Sequence, residues 1–174
     1  VVNAQLRTTA DAVWALGDVC SPHQLKHVAN HEARIVAHNL AVDLGRRAGP
    51  VQRTDDRPVP HAVFGHPQVA AFGPTSADLD AAGTTYVSAT EAFGDTAYGW
   101  ALEDTTGLLT IHASPEGRIL SVHAVGPHSS TLIQPLIQAA SFGQHAHEVA
   151  RGQYWIHPAL AEVVENALLG LPLG

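Results

Sequence analysis

The chain has 174 residues, of which 45% are hydrophobic and 14% charged, and these are ordinary values for a folded protein with one good core or two modest ones. Its formal net charge of -7 argues against a nucleic acid as partner, because phosphate binding needs clustered rather than scattered cations. No apolar run approaches the roughly 20 residues that cross a bilayer, so no membrane partner is expected, and a single cysteine fits a reducing cytoplasm.

The first predicted element is an apolar strand over residues 9–19 that ends abruptly in Gly17 and Asp18. In open α/β sheets, ligands lie beyond the carboxyl ends of the strands, where a lone aspartate accepts hydrogen bonds from sugar or ribityl hydroxyls. Asp18 is therefore a candidate cofactor ligand, and a turn without a binding role is the alternative. Cys20, just past the strand, receives no role.

A long helix is predicted next, over about residues 22–47, with a stop at Gly45. The side chains of Val28, Ile35 and Leu40 are expected to point largely inward. The N-terminus of such a helix has a partial positive charge and free backbone donors, so it suits an anionic part of a cofactor.

Histidines on and near this helix invite comparison with a metal site. His23, His27 and His31 recur at four-residue spacing, as zinc ligands can. There is no matching cysteine pair, and the second histidine of the zincin motif is missing, so a polar helix face is the interpretation and no metal is assigned. Residues 145–147, His-Ala-His, are predicted to lie in a polar loop.

From about residue 58 the pattern changes to strands and turns, after a variable linker over about 43–57. Strand composition is found at residues 62–64, 84–88, 107–113 and 118–125. The last two flank a Ser-Pro-Glu-Gly turn signal and predict an antiparallel hairpin.

Helices are expected between and after these strands. Cap-type residues at 75–78 predict a short helix, and Ser129 or Ser130 is expected to cap a helix over about 131–142 that bends near Pro135. The order of elements predicts an α+β fold with a mostly antiparallel sheet flanked by helices, preceded by a strand-helix segment.

Near the C-terminus, His157 is followed by Pro158, and Glu162 comes five residues after His157. Proline disfavours helix at the residue before it and can begin a helix, here over about 158–169, so Glu162 lies on the first turns with room to reach back. A carboxylate bonded to one ring nitrogen fixes the tautomer and stabilises the imidazolium, which leaves the other nitrogen free to exchange a proton. The two residues are a candidate general acid/base pair; a plain turn is the alternative.

Together, the stretch ending in Gly17-Asp18 and the His157-Pro158 step with Glu162 resemble the C-terminal part of the flavoprotein disulfide reductases, the glutathione reductase-like family. Residues 25–34, 97–100 and 150–171 add to the resemblance, which covers essentially the whole chain. It implies that residues 1–57 are the C-terminal part of an FAD-binding domain and that 58–174 form a dimerisation domain. Because the chain begins without methionine and lacks both a Gly-x-Gly-x-x-Gly loop and a Cys-x4-Cys pair, it is expected to be part of a longer enzyme.

The resemblance also implies the chemistry. The complete enzyme would use FAD and NADPH, form a homodimer, and reduce a small-molecule thiol disulfide, that of mycothiol in the branch it most resembles. Asp18 and the backbone at Lys26 and His27 would contact the FAD, although many family members have Thr-Pro at the latter two positions, so side-chain roles do not transfer. His157 with Glu162 would act on the redox dithiol of the other subunit.

Two readings from other classes remain open from the sequence. The chain taken alone is consistent with a non-catalytic dimerisation module, since it lacks the dithiol and the nucleotide loops. The many histidines also admit a small metal-dependent hydrolase.

Overall fold

The computed structural model describes residues 1–55 and 57–174, which form two compact units, Val1–Val59 and Pro60–Gly174. The identification of the first unit with part of an FAD-binding domain stays a prediction.

The first unit is built on helix α1, Lys26–Asp43, which begins later than predicted and is followed by the predicted stop, Gly45, at a φ of 65°. The buried residues of α1 are Glu32, Ile35 and Asn39, at spacings of three and four residues. Its inward stripe is therefore largely polar. Leu40, predicted to point inward, is 38% exposed, which corrects the apolar pattern drawn from the sequence.

The strand predicted over residues 9–19 is not formed. Arg7 and Trp14 make an isolated antiparallel bridge instead, and the Ala15 N–H donates to the carbonyl of Leu6. The apolar residues thus pair with the segment just before them through a tight local turn. The chain then enters a 3-10 turn at Gly17–Val19.

The second unit contains a five-stranded sheet in the order β1-β2-β5-β4-β3, in which every neighbouring pair is antiparallel. The strands are β1 His61–Val63, β2 Val69–Phe72, β3 Val87–Ala92, β4 Leu108–Ala113 and β5 Ile119–Val125. The predicted antiparallel sheet and the β4-β5 hairpin are confirmed. Strand β2 was not predicted, and β3 begins three residues later than its composition suggested.

Six helices belong to this unit: α2 Ser76–Ala81, α3 Ala97–Ala101, α4 Ser129–Leu132, α5 Gln134–Phe142, α6 Ala146–Arg151 and α7 Ala161–Leu169. The cap predicted for α2 is confirmed, since Thr75 and Asp78 form a reciprocal capping box. Among the described residues, no helix has the length and apolarity needed to cross a membrane.

Two helix predictions need correction. The helix expected up to residue 142 is divided into α4 and α5, with Pro135 in the first turn of α5, where proline is tolerated. The Ser129 hydroxyl donates to the carbonyl of Gly126 and so does not cap α4. Residues 145–147 are the N-cap and first turn of α6 rather than a loop.

The core of the second unit lies between one face of the sheet and the helices. Helix α7 packs against β3 and β4, and α5 packs against β5. The inward face of α7 consists of Val163, Val164, Ala167 and Leu168, all 2% exposed or less. Because this face is fixed in the core by apolar burial, the start of α7 is held in place relative to the sheet.

The opposite face of the sheet carries a buried histidine, His112, opposite Ser121 on the neighbouring strand. Its ring lies edge-on to Tyr86, at 5.1 Å between centroids, and 5.8 Å from His123. The Tyr86 hydroxyl donates to Asp80. Burial lowers the pKa of His112, the nearby His123 lowers it further, and Asp80 acts weakly in the opposite direction.

We expect the stability of the second unit to fall as the pH drops below about 6.5, the usual pKa of an unfolded-chain histidine. Protonation of His112 is disfavoured in the folded state, so the unfolded chain binds more protons there, and stability present above this pH is lost below it. Urea unfolding at about pH 7.5 and about pH 5.5 measures the effect.

The variant His112→Phe should lose less stability between these two pH values than the wild type. As a control, His147→Gln removes an exposed imidazole on α6 and should leave the difference unchanged. An identical pH dependence in His112→Phe and the wild type would contradict the expectation.

Candidate active site

The turn that carries His157 lies between α6 and α7, and its His157-Pro158 peptide is cis. Helix α7 begins at Ala161, three residues later than predicted. The reason is local: the carbonyls of Ala159 and Leu160 accept the N–H groups of residues 162 and 163 in short three-residue turns before the regular helical pattern begins.

The structure brings His157 and Glu162 into direct contact, as the sequence predicted. Nδ1 of His157 lies 2.8 Å from Oε1 of Glu162. The other carboxylate oxygen, Oε2, accepts the Ala159 N–H at 3.0 Å. Both oxygens are engaged, so the carboxylate has one orientation and fixes that of the imidazole.

The two partners differ in exposure, and the difference suits acid/base chemistry. The His157 side chain is 67% exposed, whereas that of Glu162 is 19% exposed. With Nδ1–H donating to the carboxylate, Nε2 is the nitrogen that gains or loses a proton, and it has no hydrogen-bond partner among the described residues. A proton can therefore be exchanged with a molecule arriving from outside.

The charge of Glu162 is favoured by its two donors. The hydrogen bond from His157 lowers the pKa of Glu162, the Ala159 N–H lowers it further, and partial burial opposes them. Glu162 is consequently a carboxylate at neutral pH, which is the form that stabilises an imidazolium.

The segment before His157 alternates between inward and outward side chains. Tyr154 and Ile156 are 104% and 76% exposed, while Trp155 between them turns inward and donates its indole N–H to the carbonyl of Ala150 at 2.9 Å. The indole thereby ties the turn to the end of α6. Two large apolar side chains are left exposed directly beside the candidate acid/base.

In the first unit, Asp18 lies exposed in the 3-10 turn, and the residue before it is tightly held. Gly17 has a φ of 68°, and a Cβ there would lie 3.1 Å from that of Ala29. Its N–H donates to the buried carboxylate of Glu32 at 2.5 Å. Burial and the charge of Glu32 raise the pKa of the Cys20 thiol, which disfavours the nucleophilic thiolate.

Lys26 and His27 are the first two residues of α1, whose N-terminus no side chain caps. His23 precedes the helix, so the three histidines do not share one helix face as the spacing suggested. Within residues 1–55 and 57–174, no group of three His, Cys, Asp or Glu side chains is arranged to hold a metal ion.

The sequence analysis did not predict the roles of two residues of these sites, Glu32 and Trp155. The burial of Glu32 could have been predicted, because it stands three and seven residues before Ile35 and Asn39, on the inward face of α1. A charged residue on an inward stripe needs a partner. Trp155 carried no signal, since its contact is with a backbone carbonyl outside its own element.

Comparison with known proteins extends this description. Residues 59–168 match the family profile described as pyridine nucleotide-disulphide oxidoreductase, dimerisation domain. Mycothione reductase of Mycobacterium tuberculosis is 55% identical over 172 residues, which are 98% of this chain and 37% of that protein. Dihydrolipoyl dehydrogenase of Corynebacterium glutamicum is 32% identical over 173 residues, covering 98% of this chain and 36% of that protein.

A solved structure agrees in fold. LpdA of Mycobacterium tuberculosis superimposes with a TM-score of 0.83 at 25% identity, covering 97% of this chain and 35% of that one. The chain thus spans little more than a third of the length of the relatives it matches.

Removing the imidazole is expected to raise the pKa of Glu162. In His157→Ala the main donor to the carboxylate is lost and the Ala159 N–H remains, so the pKa should rise toward that of an ordinary glutamate without reaching it. Carboxyl-carbon NMR titration measures the shift. The control His147→Ala should leave Glu162 unchanged, and an unchanged pKa in His157→Ala would mean that the hydrogen bond is not formed in solution.

Proposed function

This chain belongs to the pyridine nucleotide-disulphide oxidoreductases, and on that premise we propose that it is the C-terminal part of a flavoprotein disulfide reductase that reduces mycothiol disulfide with NADPH. The observation that carries the proposal is the 2.8 Å contact between His157 and Glu162, in which the imidazole side chain is 67% exposed. The 55% identity to mycothione reductase over nearly the whole chain supports the choice of substrate.

In the proposed reaction, His157 manages the proton of thiol–disulfide exchange. A thiol of the enzyme attacks the substrate disulfide, one S–S bond forms as another breaks, and one substrate thiolate leaves. Nε2 takes the proton of the attacking thiol, and the imidazolium delivers it to the leaving thiolate. Glu162 stabilises the imidazolium between the two steps.

The dithiol would be supplied by the other subunit, so the pair would act across a dimer. The exposed apolar side chains in the segment before His157 support this arrangement. Tyr154 is 104% exposed and Ile156 is 76% exposed. Large apolar side chains this exposed are typical of interaction surfaces, and we propose that a second copy of the chain covers them.

The first unit fits a role in holding FAD, which when bound would carry electrons from NADPH to the dithiol. Asp18 is exposed on a turn held by Glu32, so its carboxylate can accept a hydrogen bond from a ribityl hydroxyl. The N-terminus of α1, at Lys26 and His27, has no side-chain cap and no acidic residue in its first turn, which suits an anionic ring edge. We place the enzyme in the cytoplasm, where NADPH-dependent thiol reduction is needed.

Replacing His157 tests the acid/base role. In the complete enzyme, His157→Ala should slow disulfide turnover by roughly 100-fold or more, because general acid/base catalysis contributes about 100 to 10,000-fold. Flavin reduction by NADPH should stay near normal, since that step needs no proton from this imidazole. Stopped-flow measurement of each half-reaction separates the two, with His147→Ala as control, and equal loss in both would contradict the role.

Replacing Ile156 tests the dimer. Ile156→Asp places a charge in the proposed contact and should weaken self-association by at least about tenfold, because an unpaired buried charge is costly. Val63→Asp makes the same change at a residue of β1 that is 62% exposed and should have little effect. Sedimentation velocity over a concentration series measures both, and a variant Ile156→Asp that dimerises like the wild type would exclude this surface.

A further inference from the structure

Helix α1 has a cationic groove on one of its faces, which we call the α1 groove. It measures about 520 Å³ and is lined by His31, Arg34, Ile35, Ala37, His38, Ala41, Arg47 and Gln52. On the helix, His31, Arg34, His38 and Ala41 are spaced by three or four residues and so lie along one face. Within residues 1–55 and 57–174, no aspartate or glutamate belongs to the lining of the groove.

The far wall of the α1 groove is built by the segment after the helix. Beyond Gly45 the chain reverses, and the N–H groups of Arg46 and Arg47 both donate to the carbonyl of Ala41. This returns Arg47 to the helix face, where its guanidinium donates to Nδ1 of His38 at 3.0 Å.

The wall is pinned to the helix farther along as well. Asn39, only 1% exposed, accepts the Gln52 N–H at 2.7 Å and donates to the Gln52 carbonyl at 2.9 Å. Nε2 of His38 donates to the carbonyl of Pro50 at 2.9 Å. The stretch that the sequence suggested to be a variable linker is therefore fastened at three backbone groups, and the α1 groove is formed in advance of any ligand.

The charges in the α1 groove are not neutralised from within the described chain. Arg34 has no hydrogen-bond or ion-pair partner among the described residues, and the partner of Arg47 is the neutral nitrogen of His38. Asp55 lies 3.9 Å from His31, and Arg57 holds it with two shorter hydrogen bonds, so the charge of Asp55 is already paired.

The α1 groove is cationic in a chain whose acidic residues outnumber lysine and arginine by sixteen to nine. Among the described residues, ion pairs of arginine are formed by Arg7 and Arg57, so Arg34 and Arg47 remain unpaired as most arginines of the chain do. Two guanidinium groups that share a groove, and that have no carboxylate partner in the described part of the chain, have donors available to an incoming anion beyond the one that Arg47 gives to His38. Guanidinium groups bind phosphate oxygens through pairs of parallel hydrogen bonds, which favours a phosphate group over a point-like anion.

We propose that the α1 groove is a binding site for a small phosphate-bearing anion, with Arg34 and Arg47 as its charged donors and Gln52 as a neutral one. The site uses none of the residues assigned above to the flavin or to thiol chemistry. If the phosphate site fails its test, the proposed reductase function is unaffected. If the proposed function fails, the phosphate site is likewise unaffected.

Calorimetric titration of the complete enzyme with inorganic pyrophosphate tests the site. We expect saturable binding of one equivalent, weakened at least about tenfold by Arg34→Gln and by Arg47→Gln, because each substitution removes a charge-assisted hydrogen-bond pair. Arg34→Lys keeps the charge without the planar fork and should bind more weakly than wild type but more tightly than Arg34→Gln.

The matched control is Arg46→Gln, which makes the same change in net charge at the adjacent residue, outside the lining of the groove. It should change the affinity by less than about twofold. Affinity lost equally in Arg46→Gln and Arg47→Gln would show general charge attraction and overturn the site, as would titration without saturation. Malonate bound as tightly as pyrophosphate would overturn the assignment to phosphate.

Discussion

The carboxylate of Glu162 accepts two hydrogen bonds at once, and the candidate active site depends on that double contact. One donor is the imidazole of His157 and the other is the N–H of Ala159, so a single side chain orients both the ring and the backbone of the turn. Glu162 in turn stands on a helix whose inner face is packed against the sheet. The exposed imidazole is thereby supported by the hydrophobic core, through its hydrogen bond to Glu162 and the packing of α7 against the sheet.

In the first unit, a carboxylate on a helix holds a different turn in the same way. The carboxylate of Glu32, buried on α1, accepts the N–H of Gly17 and holds the turn that presents Asp18. In both cases an acidic side chain on a helix stabilises an irregular turn that carries the exposed candidate residue. Irregular backbone can present a side chain outward, whereas a helix supplies a rigid anchor, and the hydrogen bond to a charged acceptor joins the two.

The polar side chains of α1 are divided between two faces of the helix. Asn39 lies on the inward face and hydrogen-bonds the backbone of Gln52, while Arg34 lies on the groove face with its donors available. The polar residues of this helix are therefore divided between structural and available roles. An arrangement of this kind explains why α1 lacks a simple apolar stripe even though it is 18 residues long.

The sequence by itself determined the elements whose signals are local. The β4-β5 hairpin followed from two strand-like runs around a turn signal, the cap of α2 from Thr75 and Asp78, and the His157–Glu162 pair from a five-residue spacing that any short turn must close. Only the tertiary structure decided which contacts are made by the apolar and polar residues that have several possible partners. The residues before Gly17 pair with the segment at Leu6 instead of forming the predicted strand. On α1, Asn39 is buried on the inward face, whereas Leu40 is exposed. The physical reason is that burial and hydrogen bonding are satisfied by groups farther along the chain, such as the backbone of Gln52, which lies 13 residues from its partner Asn39 and whose position no local pattern specifies.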